Sequence, residues 1–205
     1  MSETKEKILD AAERLIGEQG YAATSLRHVI AEAGVNLAAV HYHFGSKEEL
    51  LDAVVLRHAT PVNEERLARL DCVEAEAGSG PMIVEKVLEA FLLPTTQVAS
   101  RSPEFVRLMG RMLAEGMMPQ IVDRHFQPAA RRFVSALRRA LPELPEEELL
   151  WRVHFMIGAM AHTMHQKPIF PEISGDATDL EPRMKRLVTF LGAGLRAAAS
   201  PKEEK

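Results

Sequence analysis

Apolar residues recur at helical spacing along almost the whole chain, and no stretch alternates apolar and polar positions as a strand does. A first apolar stripe spans residues 8–16 and is followed by Gly20, and a second spans 26–33 and is followed by Gly34. Glycine adopts the left-handed conformation that ends helices more readily than other residues. The pattern therefore predicts an all-α protein that opens with short helices.

Capping residues mark where the next helices begin. Thr24 or Ser25 can cap the second helix, and Asn36 can cap a third helix that ends at Phe44. The turn between these two helices is Gly34-Val35-Asn36, which is short. The sequence thus predicts two short helices joined by a tight turn.

A longer fourth helix follows. Ser46 and Glu49 form a capping box, which predicts a helix from Lys47 to about Leu70. The segment 72–80 (CVEAEAGSG) is small and polar and precedes a proline, so it is expected to be a loop.

The second half of the chain continues as helices separated by prolines. A long helix is expected over 146–166, a loop over 167–179, and a last helix over 180–195. No repeat of fixed period is present, so a solenoid is not predicted.

Composition narrows the class of protein. The 205 residues carry a net charge of −4 and one cysteine, Cys72, so no intramolecular disulfide can form. The chain opens without a charged-then-apolar leader, and no apolar run reaches the ~18 residues that a membrane span needs. A soluble cytoplasmic protein without a membrane partner is expected. The acidic balance argues against a general polyanion binder but not against a local DNA contact.

The third helix has the two faces that a helix-turn-helix requires. Val40 and Phe44 lie four residues apart and would face a three-helix core, while Ala38 and Tyr42 would face outward. The pattern alone is equally compatible with a bundle that never contacts DNA.

The runs ILDAAERLIGEQGYAATSLRHVIAEAGV and GVNLAAVHYHFGSKEELL resemble the DNA-binding region of the TetR (tetracycline-repressor) family over roughly the first fifty residues. The resemblance implies a homodimer with two reading heads that bind double-stranded operator DNA. It also implies a C-terminal helical domain that encloses an inducer. Three parts are therefore predicted: a helix-turn-helix domain over 1–47, a ligand-binding and dimerisation domain over 48–200, and a disordered tail over 201–205.

By position, the resemblance implies roles at the DNA. Hydroxyl, imidazole and ammonium groups donate to phosphate oxygens, while small apolar groups pack on thymine methyls in the major groove. Leu37, Ala38 and Ala39 at the start of the third helix offer no hydrogen-bond donors. Base readout is therefore expected mainly from Arg27 and His41, aided by DNA shape. The expected DNA contacts are Thr24, Ser25, Arg27, Ala38, Ala39, His41, Tyr42, His43 and Lys47.

Most of the methionines lie beyond residue 81, and methionine adapts to irregular apolar ligands, although such a stripe is more often plain core. Arg107 and Arg111, four residues apart, would suit the carboxylate or thioester end of a long-chain ligand. Alternatively, both arginines would face solvent or pair with Glu104 and Glu115. A fatty acid, an acyl-CoA or an aromatic drug are candidate inducers, and no cofactor is expected. The candidate pocket residues are Phe91, Arg107, Arg111, Met112, Met156 and Met160.

Histidines raise the question of a metal. His41 and His43 lie two apart and diverge on a helix, so a metal site is not expected there. His162 and His165 lie three apart, and a satisfied polar site or pocket lining is expected for them rather than a metal site.

The last two helices carry small residues that permit close helix approach, together with large apolar residues. They are expected to form a four-helix bundle between two subunits. Members of this set are Trp151, Phe155, Gly158, Ala159, Ala161, Leu187, Leu191, Gly192, Ala193, Gly194, Ala197 and Ala198.

The sequence favours a ligand-responsive repressor over three alternatives. An activator of the same architecture would have the same sequence features. A helical small-molecule-binding protein would use the first fifty residues only as a brace. An enzyme is not expected, because no catalytic constellation or phosphate-binding glycine loop stands out.

Overall fold

The computed structural model describes residues 3–165 and 179–199, and every regular element in those ranges is helical. The all-α class is thereby confirmed. The helices are α1 (Glu3–Gln19), α2 (Leu26–Ala33), α3 (Leu37–Phe44), α4 (Lys47–Ala77), α5 (Val84–Leu92), α6 (Pro94–Arg101), α7 (Pro103–Ala114), α8 (Met118–Ile121), a π-helical turn (Val122–Phe126), α9 (Gln127–Ala140), α10 (Glu146–His165) and α11 (Leu180–Arg196).

The capping box before α4 forms as predicted. The backbone N–H of Ser46 donates to Glu49 Oε2 at 2.9 Å, and the backbone N–H of Glu49 donates to Ser46 Oγ at 3.1 Å. The two bonds satisfy N–H groups that have no partner inside the helix. They fix the start of α4 directly behind α3.

The predicted end of α4 is wrong. The helix does not stop near Leu70 but continues to Ala77, so most of the expected loop at 72–80 is helical. Alanine and glutamate dominate the helical part of this segment, and both are good helix formers, although small and polar residues are also typical of loops. The helix ends where Gly78 takes a φ of 54°, which glycine adopts at little cost.

Two compact units make up the chain. The first comprises residues up to 62 together with 98–127, and the second comprises 63–97 together with residues from 128 onward. These units are defined by packing and place α7 with the first three helices. The predicted boundary between residues 47 and 48 concerns function, and it stays a prediction. The tail at 201–205 and most of the loop predicted at 167–179 lie outside the described residues.

In the first unit, α1 packs against both α7 and α2. The core of the first unit contains residues from every helix of the unit, and some of them are almost completely inaccessible to solvent. Burial of such side chains contributes ~1.5–3 kcal/mol each. The largest of these fully buried side chains are Ile8, Leu9, Ile16, Leu50, Leu108 and Met112.

A buried carboxylate ties three helices of this unit together. Glu13 of α1 is 3% exposed and accepts hydrogen bonds from Arg57 and from His58 of α4, the latter at 2.7 Å, and from the Ser102 hydroxyl at 2.6 Å. Burial by itself would raise the pKa of Glu13, but the bonds from His58, Ser102 and Arg57 outweigh it and lower the pKa from 4.5 to about 2. The His58 ring also stacks on Phe105, with centroids 4.2 Å apart.

In the second unit, α11 packs against α5 and α10. Phe91 and Phe133 stack at the centre with ring centroids 4.3 Å apart. Arg152 of α10 donates to the carbonyl oxygens of Gly194 and Leu195, each at 2.9 Å, and so satisfies acceptors at the end of α11. In the described part, no helix is both long and apolar enough to cross a bilayer.

Candidate nucleic-acid interface

The turn between α2 and α3 has the geometry that its sequence predicts. Ser25 caps α2 by accepting a bond from the His28 N–H at 3.2 Å. Gly34 has a φ of 64°, and its N–H bonds to Ile30 O, which closes the helix. Asn36 then caps α3 by accepting a bond from the Ala39 N–H at 2.8 Å. The caps leave only a tight turn between the helices.

Helix α3 presents one face to the core and one to solvent. Val40 is 0% and Phe44 is 6% exposed, so both lie in the core as predicted. Tyr42 is 85% and Leu37 is 52% exposed, and Ala38 is exposed beside them. This face of α3 is therefore open to solvent and accessible to a partner.

The outward surface of α3 is built from two pairs of residues, each pair one helical turn apart, and we call it the reading face. His41 is exposed, and its Nδ1 lies 3.0 Å from Gly45 O, which orients the ring at the end of the helix. Ala39 and His43 are half-buried at the edges, and the rings of Tyr42 and His43 are 5.0 Å apart. The members of the reading face are Leu37, Ala38, His41 and Tyr42.

The two candidate hydroxyls before α2 differ in accessibility. Thr24 is 2% exposed, and its hydroxyl donates to Gly20 O at 2.8 Å. Ser25 is only half-buried, and its Oγ accepts from a backbone N–H, so its own hydrogen can be donated outward. Of the two hydroxyls, only that of Ser25 is accessible, and its contact with a phosphate stays a prediction. Arg27, in the first turn of α2, is exposed.

Lys47, at the start of α4, packs against Tyr21 within the first unit. Its ammonium donates to Tyr21 O and sits 4.0 Å from the centroid of the Tyr21 ring. Burial lowers the pKa of Lys47, and the nearby Glu115 acts in the opposite direction. A contact of Lys47 with a phosphate, which stays a prediction, would require this side chain to turn away from Tyr21.

Two further side chains shape the charge near the reading face. Glu32 of α2 forms an ion pair with Arg14, which offsets its negative charge. Lys5 of α1 lines an open cleft together with Tyr42 and His43, and its ammonium is 5.8 Å from the Phe44 ring centroid. Sequence reasoning missed Lys5, because only the fold carries the start of α1 to the end of α3.

The six candidate pocket residues fall in different units. Arg107 and Arg111 on α7 are exposed, and Arg111 donates to Glu18 O at 3.0 Å, which agrees with the alternative that they face solvent. Met112 is buried in the first core. The other three belong to the second unit, where Phe91 and Met156 are buried and Met160 is half-buried.

The histidines of α10 do not gather with other ligands. His154 and His162 are exposed, and the side chain of His165 lies outside the described residues. Among the described residues, no three histidine, cysteine or acidic side chains cluster as a metal would need. His154 instead packs edge-on to Trp151, with ring centroids 5.8 Å apart.

Replacing Asn36 with alanine is expected to lower the free energy of unfolding by about 1 kcal/mol, because the Ala39 N–H loses its cap. Urea denaturation followed by circular dichroism measures the difference. Asn36→Ser keeps an oxygen at the cap and should stay close to the parent. Equal losses in both variants would show that the cap is not what holds α3.

Two family models match the chain. The model for bacterial regulatory proteins of the tetR family matches residues 8–54, which include the whole α2–α3 motif. The model for the tetracyclin repressor-like C-terminal domain matches residues 89–194, which is more than half of the chain. Together they cover the reading face and most of the second unit.

Curated relatives of the chain are also described as HTH-type transcriptional regulators. An HTH-type transcriptional repressor of Mycobacterium tuberculosis is 34% identical over 110 residues, which is 50% of this chain and 55% of that protein. The first curated relatives are matched over only 18% to 55% of their own length. Outside the reading head, sequence similarity is therefore limited.

Solved structures share the fold over nearly the full length. A TetR family regulator from Marinobacter aquaeolei VT8 has a TM-score of 0.66 at 17% identity, covering 93% of this chain and 94% of that one. The fatty acid degradation regulator FadR from Bacillus halodurans has a TM-score of 0.58 at 16% identity, covering 97% and 99%. With both family models matched, the chain belongs to the TetR family of bacterial transcriptional regulators.

Proposed function

We propose that this regulator is a homodimeric repressor that binds a palindromic operator through α3 and releases it when a small, largely apolar inducer binds. The observation that carries the proposal is the reading face, where an 85% exposed Tyr42 stands beside small side chains on a capped helix. Small residues let a helix approach base edges closely, while the tyrosine hydroxyl reaches a phosphate.

Direct base readout in this proposal depends on few groups. Arg27 on α2 and His41 on α3 are exposed and can donate to base edges, whereas Leu37 and Ala38 offer only apolar contact. Methyl groups on these residues suit thymine methyls in the major groove. The operator is thus expected to be read partly through its shape and deformability.

Phosphate contacts would come from the edges of the head. Ser25, Tyr42 and His43 can each donate to a phosphate oxygen, and Lys5 adds a cation beside the cleft that Tyr42 and His43 line. The N-terminus of α2 offers further backbone N–H groups. These contacts would hold the helix in register without selecting a sequence.

The homodimer is proposed to form through exposed apolar side chains of α10 and α11. Trp151 is 53%, Phe155 is 61% and Phe190 is 73% exposed. Trp151 and Phe155 stack with centroids 5.8 Å apart, and Gly158 continues the same helix stripe. Leu187 and Leu191, predicted to join them, are half-buried and buried in this chain's own second unit. A two-fold dimer would place two reading heads about one DNA turn, ~34 Å, or a multiple of it apart.

Repression, rather than activation, is supported by the Mycobacterium tuberculosis relative, which is named as a repressor. An apolar inducer is supported by the FadR-like fold, since that protein is described as a regulator of fatty acid degradation. A reporter gene behind the operator would be silenced by the protein if it represses. Higher expression in its presence would identify an activator.

Tyr42→Ala is expected to weaken operator binding by at least tenfold, because one phosphate donor and the exposed ring are lost together. Fluorescence anisotropy with DNA from upstream of the protein's own gene measures the effect, and circular dichroism checks that the helices remain. Lys86→Ala removes a cation that pairs with Glu76 in the second unit and should leave affinity unchanged. Parent-like binding by Tyr42→Ala would remove α3 from the interface.

A further inference from the structure

One residue, Tyr21, links the two ends of the helix-turn-helix. Its carbonyl oxygen, which lies before α2, accepts a hydrogen bond from the ammonium group of Lys47, which lies after α3. The two residues are 26 positions apart in sequence, and α2, the turn and α3 all lie between them. The bond therefore closes the motif into a ring and holds its two ends together.

A second contact keeps the Lys47 ammonium on Tyr21. The ammonium lies 4.0 Å from the centroid of the Tyr21 ring, where the face of an aromatic ring attracts a cation. Lys47 is also half-buried. A move of the ammonium to a phosphate would give up the hydrogen bond and the ring contact together.

The backbone N–H of Tyr21 is held from α7. It donates to Glu115 Oε2 at 3.2 Å, and Glu115 directly follows the last residue of α7. Gly20 permits this approach, because a Cβ at that position would collide with Glu115 Oε1. One turn earlier on α7, Arg111 donates to Glu18 O at 3.0 Å, near the end of α1. The end of α7 thus holds the segment that joins α1 to α2.

A tight turn connects Tyr21 to the first residues of α2. The Thr24 N–H donates to Tyr21 O at 3.3 Å. Ser25 follows directly and caps α2, and Arg27 lies in the first turn of that helix. The groups that are expected to contact DNA from α2 therefore stand on a segment whose place relative to α3 depends on the bond from Lys47.

We propose that Lys47 is a positioning residue for DNA binding, which acts through Tyr21 to set where the start of α2 lies relative to α3, and makes no phosphate contact of its own. Glu115 supports the same turn by accepting the Tyr21 N–H. The inference rests on the proposed function in taking α2 and α3 as the surface that meets DNA.

The salt dependence of operator affinity separates positioning from phosphate contact. Each phosphate contact contributes about 0.9 to the slope of log K against log salt concentration, so the loss of one contact in each of two heads would reduce the slope by about 1.8. Lys47→Met should instead weaken binding roughly fivefold, as for one lost hydrogen bond, with the slope of the parent. Fluorescence anisotropy with DNA from upstream of the protein's own gene, over a series of KCl concentrations, measures both quantities.

Two variants of Glu115 separate its hydrogen bond from its charge. Glu115→Gln keeps an oxygen that can accept the Tyr21 N–H but removes the negative charge, whereas Glu115→Ala removes both. Glu115→Ala should bind the operator roughly fivefold more weakly than Glu115→Gln, because only in the alanine variant does the Tyr21 N–H lose its acceptor. If only the charge beside Lys47 mattered, the two variants would bind equally.

Lys86→Met is the matched control for the loss of a lysine. Lys86 pairs with Glu76 in the second unit, so this variant should keep both the affinity and the salt slope of the parent. Circular dichroism melts check that every variant is folded at the temperature of the assay, so that unfolded protein does not mimic weaker binding.

Hydrogen exchange of the free protein tests the link without DNA. Peptides that span residues 20–26 should exchange roughly fivefold faster in Lys47→Met and in Glu115→Ala than in the parent. The proposal is overturned by unchanged exchange, by parent-like affinity or a slope reduced by about 1.8 in Lys47→Met, or by equal affinity of the two Glu115 variants. If the parent binds no operator, the proposed function fails, and exchange alone decides whether Lys47 holds the turn.

Discussion

Replacing Glu13 with glutamine is expected to lower the free energy of unfolding at neutral pH by about 3–5 kcal/mol, since it breaks a buried ion pair from one side. Arg57, with a side chain only 19% exposed, would keep its charge while losing its most buried carboxylate partner. His58 and Ser102 would lose the same acceptor. Denaturant unfolding followed by circular dichroism measures the change.

The matched control is Asp10→Asn. Asp10 bonds to the same Arg57 at 2.6 Å, but its side chain is 70% exposed, so solvent screens the pair. A loss below about 1 kcal/mol is expected there. Similar losses in the two variants would show that the burial of Glu13 does not determine how much its bonds to Arg57, His58 and Ser102 contribute to stability.

The lowered pKa of Glu13 also predicts that the stability of the folded chain depends on pH. The pKa of Glu13 lies at about 2 in the folded chain and near 4.5 ordinarily, so folding favours the carboxylate. Its contribution is complete above about pH 4.5 and is lost as pH falls toward 2. Stability measured across that window should therefore fall less steeply in Glu13→Gln than in the parent. Parallel curves would contradict this assignment.

The second large effect is expected at the proposed dimer face. Trp151→Glu combined with Phe155→Glu places two carboxylates where two exposed aromatic side chains of α10 would meet those of a second subunit. Desolvating unpaired charges is costly, so the variant should be monomeric at micromolar concentration. Sedimentation velocity measures the mass. Because each monomer carries one reading head, operator affinity should fall at least a hundredfold.

Leu113→Glu serves as the control for this variant. Leu113 is 48% exposed on α7 in the first unit, so the change adds a charge at an apolar surface position outside the proposed interface. It should remain dimeric and bind the operator as the parent does. A dimeric double variant, or a monomeric parent, would exclude the proposed interface.

The short-range features of the fold could be predicted from the sequence because their causes are local. Ser25, Gly34 and Asn36 act on backbone groups within a few residues, and all three cap the helices as expected. The end of α4 was missed because small, polar residues are typical of both loops and exposed helices. In that case Gly78, not the composition before it, sets the boundary.

The long-range features could not be predicted because they depend on which helices meet. Glu13 reads as one more polar residue of α1, yet its partners lie 44 to 89 positions away in sequence. Arg66 stands among charged neighbours of α4, and only the packing of α5 against it reveals its burial. Lys5 is brought near Tyr42 in the same way.

Binding of specific DNA by the reading face can be measured directly. The most direct measurement is footprinting and anisotropy of the parent protein on DNA flanking its own gene, over a series of salt concentrations. We expect two protected half-sites related by dyad symmetry, and affinity that falls steeply with salt while exceeding that for unrelated DNA by at least a thousandfold. Equal affinity for both DNAs, or no binding at low salt, would contradict it.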